Sequence, residues 1–348
     1  MIVKFFNPSL QYDRIKLEID SAIQRVLTKG DLILRQDVEI FEERLAQYVG
    51  AKYAVGLNSG TDALFFALKV SEVGRGDEVI TTSHGFVAPI SAIKHCGAEP
   101  VLVDVGEDYL MDMEKVEEAI TLKTKAIIPI HLNGKVCDME KLTSIFEGIV
   151  IEDAAQALGA KIGLGDIACF SFYPAKILGS LGDAGAITTD NKEIADKIRL
   201  LRDHCITRED DEIKCFGFNS RMDNLQAAVL NTKLKYLPQW INRRKEIARM
   251  YDKGLDGVVL PPIADIYQNY VIKAQKRDEL FEFLKENGIE TQIKDRVPNH
   301  LQKNLGLKFN LPVTERLSNE VISLPIYPEL TNEEVEFVIK KIKEFYER

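Results

Sequence analysis

From about residue 10 to residue 235, short apolar runs alternate with segments of helical period. The runs at 52–57, 77–82, 99–105, 126–130, 149–153, 167–172 and 185–189 carry little polar alternation, as strands buried on both faces do. The segments 60–70, 87–96, 113–120 and 139–146 between them read as helices. This alternation predicts an α/β fold with a mostly parallel central sheet covered by helices on both faces, a three-layer α/β/α arrangement. Ligands in such sheets bind at the carboxyl ends of the strands, so the residues that follow each run are where chemistry is sought.

Past residue 224 the pattern changes. Segments 225–236 and 241–255 read as long helices with Pro238 between them. A strand at 266–274, an amphipathic helix at 276–287 stopped by Gly288, and a loop over 297–313 follow. Thr331-Asn332-Glu333-Glu334 opens the last helix with a capping-box pattern. The expected division is a large domain over 1–240, with an N-terminal helix and the central sheet, and a small α+β domain over 241–348. A net charge of −9 argues against nucleic acid as a main partner, because phosphate backbones need clustered Lys and Arg. No apolar run reaches the length of a membrane span, and the first residues lack the layout of a signal peptide. The five cysteines form no C-x-x-C pair and read as buried thiols of a cytoplasmic protein. The five histidines show no i, i+4 pair, so no metal site is expected.

Four segments at strand ends carry candidate chemistry. Asn58-Ser59-Gly60-Thr61-Asp62-Ala63-Leu64 lies between a strand and a helix, and its backbone N–H groups and hydroxyls suit an anion or simply cap the helix. Phe86, just past a strand, is placed to stack on a planar ring or to pack in the core. Asp153 and Gln156 stand in Glu152-Asp153-Ala154-Ala155-Gln156, where a carboxylate at a buried strand end needs a cationic partner or caps a helix. Glu152 alternates to the other face of that strand and reads as structural. Ser171 and Lys176 share Ser171-Phe172-Tyr173-Pro174-Ala175-Lys176, and Gly179, Gly182 and Gly185 give a flexible turn near that lysine. A lysine and an acid brought to one end of a sheet suit pyridoxal 5'-phosphate (PLP). That cofactor needs an amine for its aldehyde and a carboxylate for its ring nitrogen. The chain has no G-x-G-x-x-G or Walker segment, so a nicotinamide dehydrogenase is disfavoured.

With these segments in this order, the chain resembles the DegT/StrS-type nucleotide-sugar aminotransferases, PLP enzymes of fold-type I. The resemblance also takes in Phe41-Glu42, Gly76-Asp77-Glu78-Val79-Ile80, Gly97-Ala98, Thr124-Lys125-Ala126-Ile127, Gly217-Phe218-Asn219-Ser220-Arg221-Met222, Gln226-Ala227-Ala228 and Leu324-Pro325. It implies that Lys176 forms the internal aldimine and that Asp153 pairs with the pyridine nitrogen. Gln156 would reach the ring hydroxyl side, Phe86 would stack on the ring, and Gly60, Thr61 and Ser171 would hold the phosphate. Asn219 would complete the phosphate site of a neighbouring subunit in an obligate homodimer.

The implied reaction is a ping-pong transfer of an amino group from L-glutamate to a nucleotide-linked keto sugar. Gln156, where members acting at sugar carbon 4 more often have His, points to carbon 3. The chain departs from its relatives at Asn133, at Ala184, and at Ile293-Lys294-Asp295-Arg296-Val297-Pro298, which stands where many carry His-Tyr-Pro beside the sugar nucleotide. Lys294 and Arg296 are placed to read a diphosphate or an acidic sugar, or form a solvated pair. Two alternatives remain beside the aminotransferase: a PLP-dependent sugar dehydratase, and a regulatory protein that binds PLP or a sugar nucleotide without turnover. Dehydratases of this kind replace the aldimine lysine with His, and Lys176 is present.

Overall fold

A computed structural model describes residues 1–207 and 212–347. Among the described residues the chain forms a seven-stranded sheet and a two-stranded one. The large sheet contains β1 (Tyr53–Leu57), β2 (Glu78–Thr82), β3 (Glu99–Val103), β4 (Thr124–Ile127), β5 (Ile149–Asp153), β6 (Ile167–Ser171) and β7 (Gly185–Thr189), in the order β1-β7-β6-β5-β4-β2-β3. The pairs β2–β3, β2–β4, β4–β5 and β5–β6 are parallel. β7 runs antiparallel to both β1 and β6. The expected mostly parallel sheet is therefore present, with one reversed strand inserted near its edge.

Successive residues of a strand point to opposite faces, and the cores follow that rule. On one face Val55, Leu57, Ile167, Cys169 and Ile187 pack under α4 (Gly60–Val70), α5 (Ala88–His95) and α8 (Lys192–Leu201). On the other face Ala54, Ala168, Phe170 and Ala186 meet α2 (Lys16–Lys29), α3 (Gln36–Val49) and α9 (Asn224–Leu234). Val150 and Ile127 pack further along this face with α6 (Met113–Ala119) and α7 (Met139–Ile145). The short α1 (Pro8–Arg14) leads into α2.

α10 (Leu237–Gly254) starts with Pro in its first turn, where a missing N–H costs nothing. The expected break between the two helices is present, but at residues 235–236, and Pro238 lies in the first turn of α10 and not between it and α9. Leu237, Trp240 and Ile241 sit in the first core, whereas Ile247, Ala248 and Tyr251 sit in a second core around the small sheet. That sheet pairs β8 (Tyr270–Lys273) with β9 (Val321–Leu324) and is flanked by α11 (Arg277–Glu286) and α13 (Asn332–Tyr346). The N-terminal Val3 bridges to Ile289 and joins this second core. α12 (Pro312–Glu320) and β9 were not foreseen, since the polar stretch before them carries no period. No helix among the described residues is long and apolar enough to cross a membrane.

The cysteine expectation holds in part. Cys137 and Cys169 are buried free thiols, and Cys96 is partly buried and free. Cys205 and Cys215 are instead joined as a disulfide, with their Cα atoms 5.4 Å apart.

The capping box at α13 is complete: Thr331 accepts from the Glu334 N–H, and Glu334 accepts from the Thr331 N–H. Thr331→Ala is expected to cost about 1 kcal/mol in urea unfolding, and Thr331→Ser to recover most of it. An unchanged midpoint for the alanine variant would show that the cap contributes nothing.

Candidate active site

A cleft of about 880 Å³ opens where the sheet's carboxyl ends meet the small unit. Gly60, Thr61, Phe86, Asp153, Gln156, Ser171 and Lys176 all line it. The strand ends explain the convergence: β1 leads into α4, β2 into the Phe86 loop, β5 ends at Asp153, and β6 ends at Ser171. Asn219 does not line this cleft; it is exposed and bridges to Asp203.

The N-terminus of α4 is fixed by two close approaches. A methyl group added at Gly60 would fall 2.7 Å from the Ser171 Cβ, and one at Gly185 would fall 2.2 Å from the Ser59 carbonyl carbon. Ser59 caps the helix by accepting from the Asp62 N–H at 3.1 Å. The free N–H groups of the first turn thus face the cleft beside the Ser171 hydroxyl, a geometry suited to an anion. Phe86 is 69% exposed, unusual for a phenyl ring inside a cleft.

The Lys176 segment is held firmly. Lys176 N–H donates to Tyr173 O at 2.8 Å. Gln268 straddles the loop, accepting from the Ile177 N–H at 2.7 Å and donating to Ala175 O at 3.0 Å. Lys233 donates to Gly179 O at 2.7 Å, and Gln226 accepts from the Leu181 N–H at 2.9 Å. Gly179 lies so close to Pro174 that an added methyl would meet its carbonyl oxygen at 2.2 Å. The glycines after Lys176 therefore serve tight packing, which corrects the expected flexible turn.

Asp153 is buried, and among the described residues its carboxylate accepts one hydrogen bond, from the Ala155 N–H to Oδ1 at 3.1 Å. It forms no ion pair among the described residues. Burial pushes its carboxyl up from the ordinary value, against the pull of the Ala155 N–H and of Lys176. Gln156 Oε1 accepts from the Asn133 N–H and from Asn269 Nδ2, each at 3.0 Å. This fixes the amide orientation and leaves the Gln156 Nε2 hydrogens for the cleft. Behind Asp153, Glu152 accepts N–H groups from Gly163 and Gly165 and pairs with His131 Nε2 at 2.8 Å. The Cys137 N–H points at His131 Nδ1, so the ring's hydrogen is on Nε2.

The family model of the DegT/DnrJ/EryC1/StrS aminotransferases matches residues 13–343. The chain belongs to that family. It is 41% identical to a pleiotropic regulatory protein of Geobacillus stearothermophilus, over 99% of each chain. It is also 41% identical to the dTDP-3-amino-3,6-dideoxy-alpha-D-galactopyranose transaminase of Aneurinibacillus thermoaerophilus, over 95% of this chain and 96% of that one. Among solved structures, DesV of S. venezuelae in complex with a ketimine intermediate superposes with a TM-score of 0.96 at 38% identity, over 100% of this chain and 99% of that one. The architecture is the fold-type I arrangement expected from the sequence.

Several cleft residues of this family member escaped the sequence reading. Phe5, Phe6, Arg244, Gln268, Asn269 and Tyr327 line it from segments with no motif, brought in by long-range packing. Arg244 binds the small unit's backbone at Tyr267 O, Gln268 O and Ile326 O, and burial lowers its pKa to about 10. The pair Lys294 and Arg296 is split. Arg296 lies outside the cleft, donating to Asp278 at 3.0 Å over the Phe281 ring. Lys294 lines the cleft and donates to Asn269 Oδ1 at 2.7 Å.

Burial lowers the pKa of Lys176, opposed by Asp153. Burial, aided by the neighbouring Lys176 charge and by Arg244, lowers Lys294 to about 8 against the opposing pull of Asp295. Between pH 8 and 10.5 the unfolded chain holds a proton that folded Lys294 has released, so this group's contribution to stability rises with pH across that window. Below pH 8 its full cost is present. Lys294→Met is therefore expected to stabilise the chain at pH 7, relative to its effect at pH 10, by on the order of 1–2 kcal/mol in urea unfolding. A difference between variant and wild type that stays flat across this range would contradict the depressed pKa.

Proposed function

We propose that the protein is a PLP-dependent aminotransferase that moves an amino group from L-glutamate to the keto group of a nucleotide-linked sugar, at sugar carbon 3. The observation that carries the reading is one cleft holding a half-buried amine at Lys176 and a buried, unpaired carboxylate at Asp153, beside the open N-terminus of α4. The residues fit the cofactor group by group. The α4 N–H groups at Gly60 and Thr61, with the hydroxyls of Thr61 and Ser171, suit its phosphate. Phe86 offers an exposed ring face, and Asp153 lacks the cation that a protonated ring nitrogen would provide. Gln156 has Nε2 hydrogens to give to the ring oxygen.

When bound, the cofactor supplies an aldehyde for the amine and an electron sink for the carbanion that forms at the substrate carbon. Lys176 would hold that aldehyde through its Nζ. When free, the same Nζ would be the group placed to take a proton from the donor's α-carbon and to give it back. Its depressed pKa favours the neutral amine that this task needs. Asp153 would be kept ionised by a protonated ring nitrogen, and the His131–Glu152 pair behind it holds its strand in place. The second half-reaction uses the same groups in reverse, with the sugar ketone as acceptor. Asn219, exposed and not among the residues lining its own cleft, serves the cleft of a second copy in a homodimer.

The name of the Geobacillus stearothermophilus relative raises a second reading, a regulatory protein that binds the same ligands without turnover. The complete set of acid–base and cofactor-binding groups supports the enzyme. Protein supplied with PLP should show a visible absorption band that L-glutamate bleaches, and should then aminate a dTDP-linked 3-keto sugar. Lys176→Ala is expected to lose that band and to lower turnover by at least 10²–10⁴-fold. A band indifferent to every amino acid would favour the regulatory reading, and a protein that never binds PLP would overturn both.

A further inference from the structure

We propose that Lys294 is a specificity-determining residue that receives a substrate carboxylate in the cleft beside Lys176. The inference rests on the aminotransferase reading of that cleft. An ammonium has three N–H donors. Among the described residues Lys294 Nζ has one acceptor, Asn269 Oδ1 at 2.7 Å, and no carboxylate within ion-pair distance. The adjacent Asp295 does not serve it, because that carboxylate accepts the Gly85 N–H and is itself pushed up to about 6 by burial. Two donors of Lys294 therefore remain for the cleft.

The position of this amine is built. Gln292 pairs with Ser323 of β9 through two backbone hydrogen bonds, 3.2 and 2.8 Å long, which adds an edge to the small sheet. Three residues on, Asp295 turns the chain with a left-handed φ of 54°. Asn299 then anchors the segment to Ser83 O and Gly85 O at 3.0 and 2.8 Å. Asn269 is held by its own bonds to Gln156 and Asn133, so its Oδ1 is turned toward Lys294.

Charge balance gives the ligand's sign. Lys176 and Lys294 are close enough for one to depress the other, and Arg244, which gives one nitrogen to backbone carbonyls, adds a third positive charge to the cleft. Once Lys176 holds the cofactor and Asp153 is paired with its ring, Lys294 is left as a partly desolvated cation on which Asp295 acts only from beyond ion-pair distance. A charged hydrogen bond to a carboxylate beside the reacting carbon satisfies it. Two reactants can bring that group: the amino-acid donor and an acidic keto sugar.

The test uses holoenzyme and unreactive probes followed by calorimetry: glutarate, glucuronate linked to UDP and to dTDP, and glucose linked to the same nucleotides. Lys294→Met is expected to weaken at least one carboxylate probe tenfold or more, to change the neutral sugar nucleotides less than twofold, and to be rescued by Lys294→Arg. A loss confined to the glucuronate probes assigns the carboxylate to the sugar, and a loss confined to glutarate assigns it to the donor. A lysine that only held Asn269 would move every probe alike, and that result, or unchanged affinity for both acids, overturns the proposal. Wild-type holoenzyme that binds none of the probes overturns the aminotransferase reading itself, and the role of Lys294 with it.

Discussion

The site depends on the contact between the first turn of α4 and the ends of β6 and β7. Gly60 lies against Ser171, and Gly185 against Ser59, at separations that no side chain tolerates. That contact places an anion-binding helix end and the Lys176 loop in one corner of the cleft. It explains why small residues stand at both positions, and why a reversed strand is needed at this edge. β7 runs antiparallel to β1 and β6, so its first residue, Gly185, comes to the same end of the sheet where β1 and β6 finish.

The small unit does more than cover the cleft. Gln268 holds the lysine loop, Asn269 orients Gln156, and Arg244 ties this segment to α10 through the carbonyls of Tyr267 and Gln268. α10 itself starts in the core of the large sheet and ends in the core of the small one. The Lys176 loop and the Gln156 amide are therefore set by elements from both parts of the chain, the kind of preorganisation a catalytic site needs.

Much of this was legible in the sequence. Continuous apolar strands and intervening helices predict the large sheet closely, and Asp153 and Ser171 fall at the strand ends the pattern gives. Gly60, Thr61, Phe86, Gln156 and Lys176 line the cleft with them, because β-strand ends in such a sheet converge. Two kinds of feature were not legible. α12 and β9 follow a polar stretch without period, and β9 finds its place only by pairing with β8. Gln268, Asn269 and Arg244 carry no local signal, since each acts through partners that are far away in sequence. The pairing of Lys294 with Arg296 failed for a related reason. The left-handed turn at Asp295 sends the two side chains to different sides, and adjacent numbers did not reveal that turn.

Two half-buried lysines share this cleft, and the proposed covalent role falls to Lys176. Reduction of the PLP-loaded protein with borohydride, followed by proteolysis and mass spectrometry, would fix the cofactor to the amine that holds it. The account predicts the pyridoxyl mass on Lys176 alone. The label on Lys294, or on no lysine of the cleft, would contradict it.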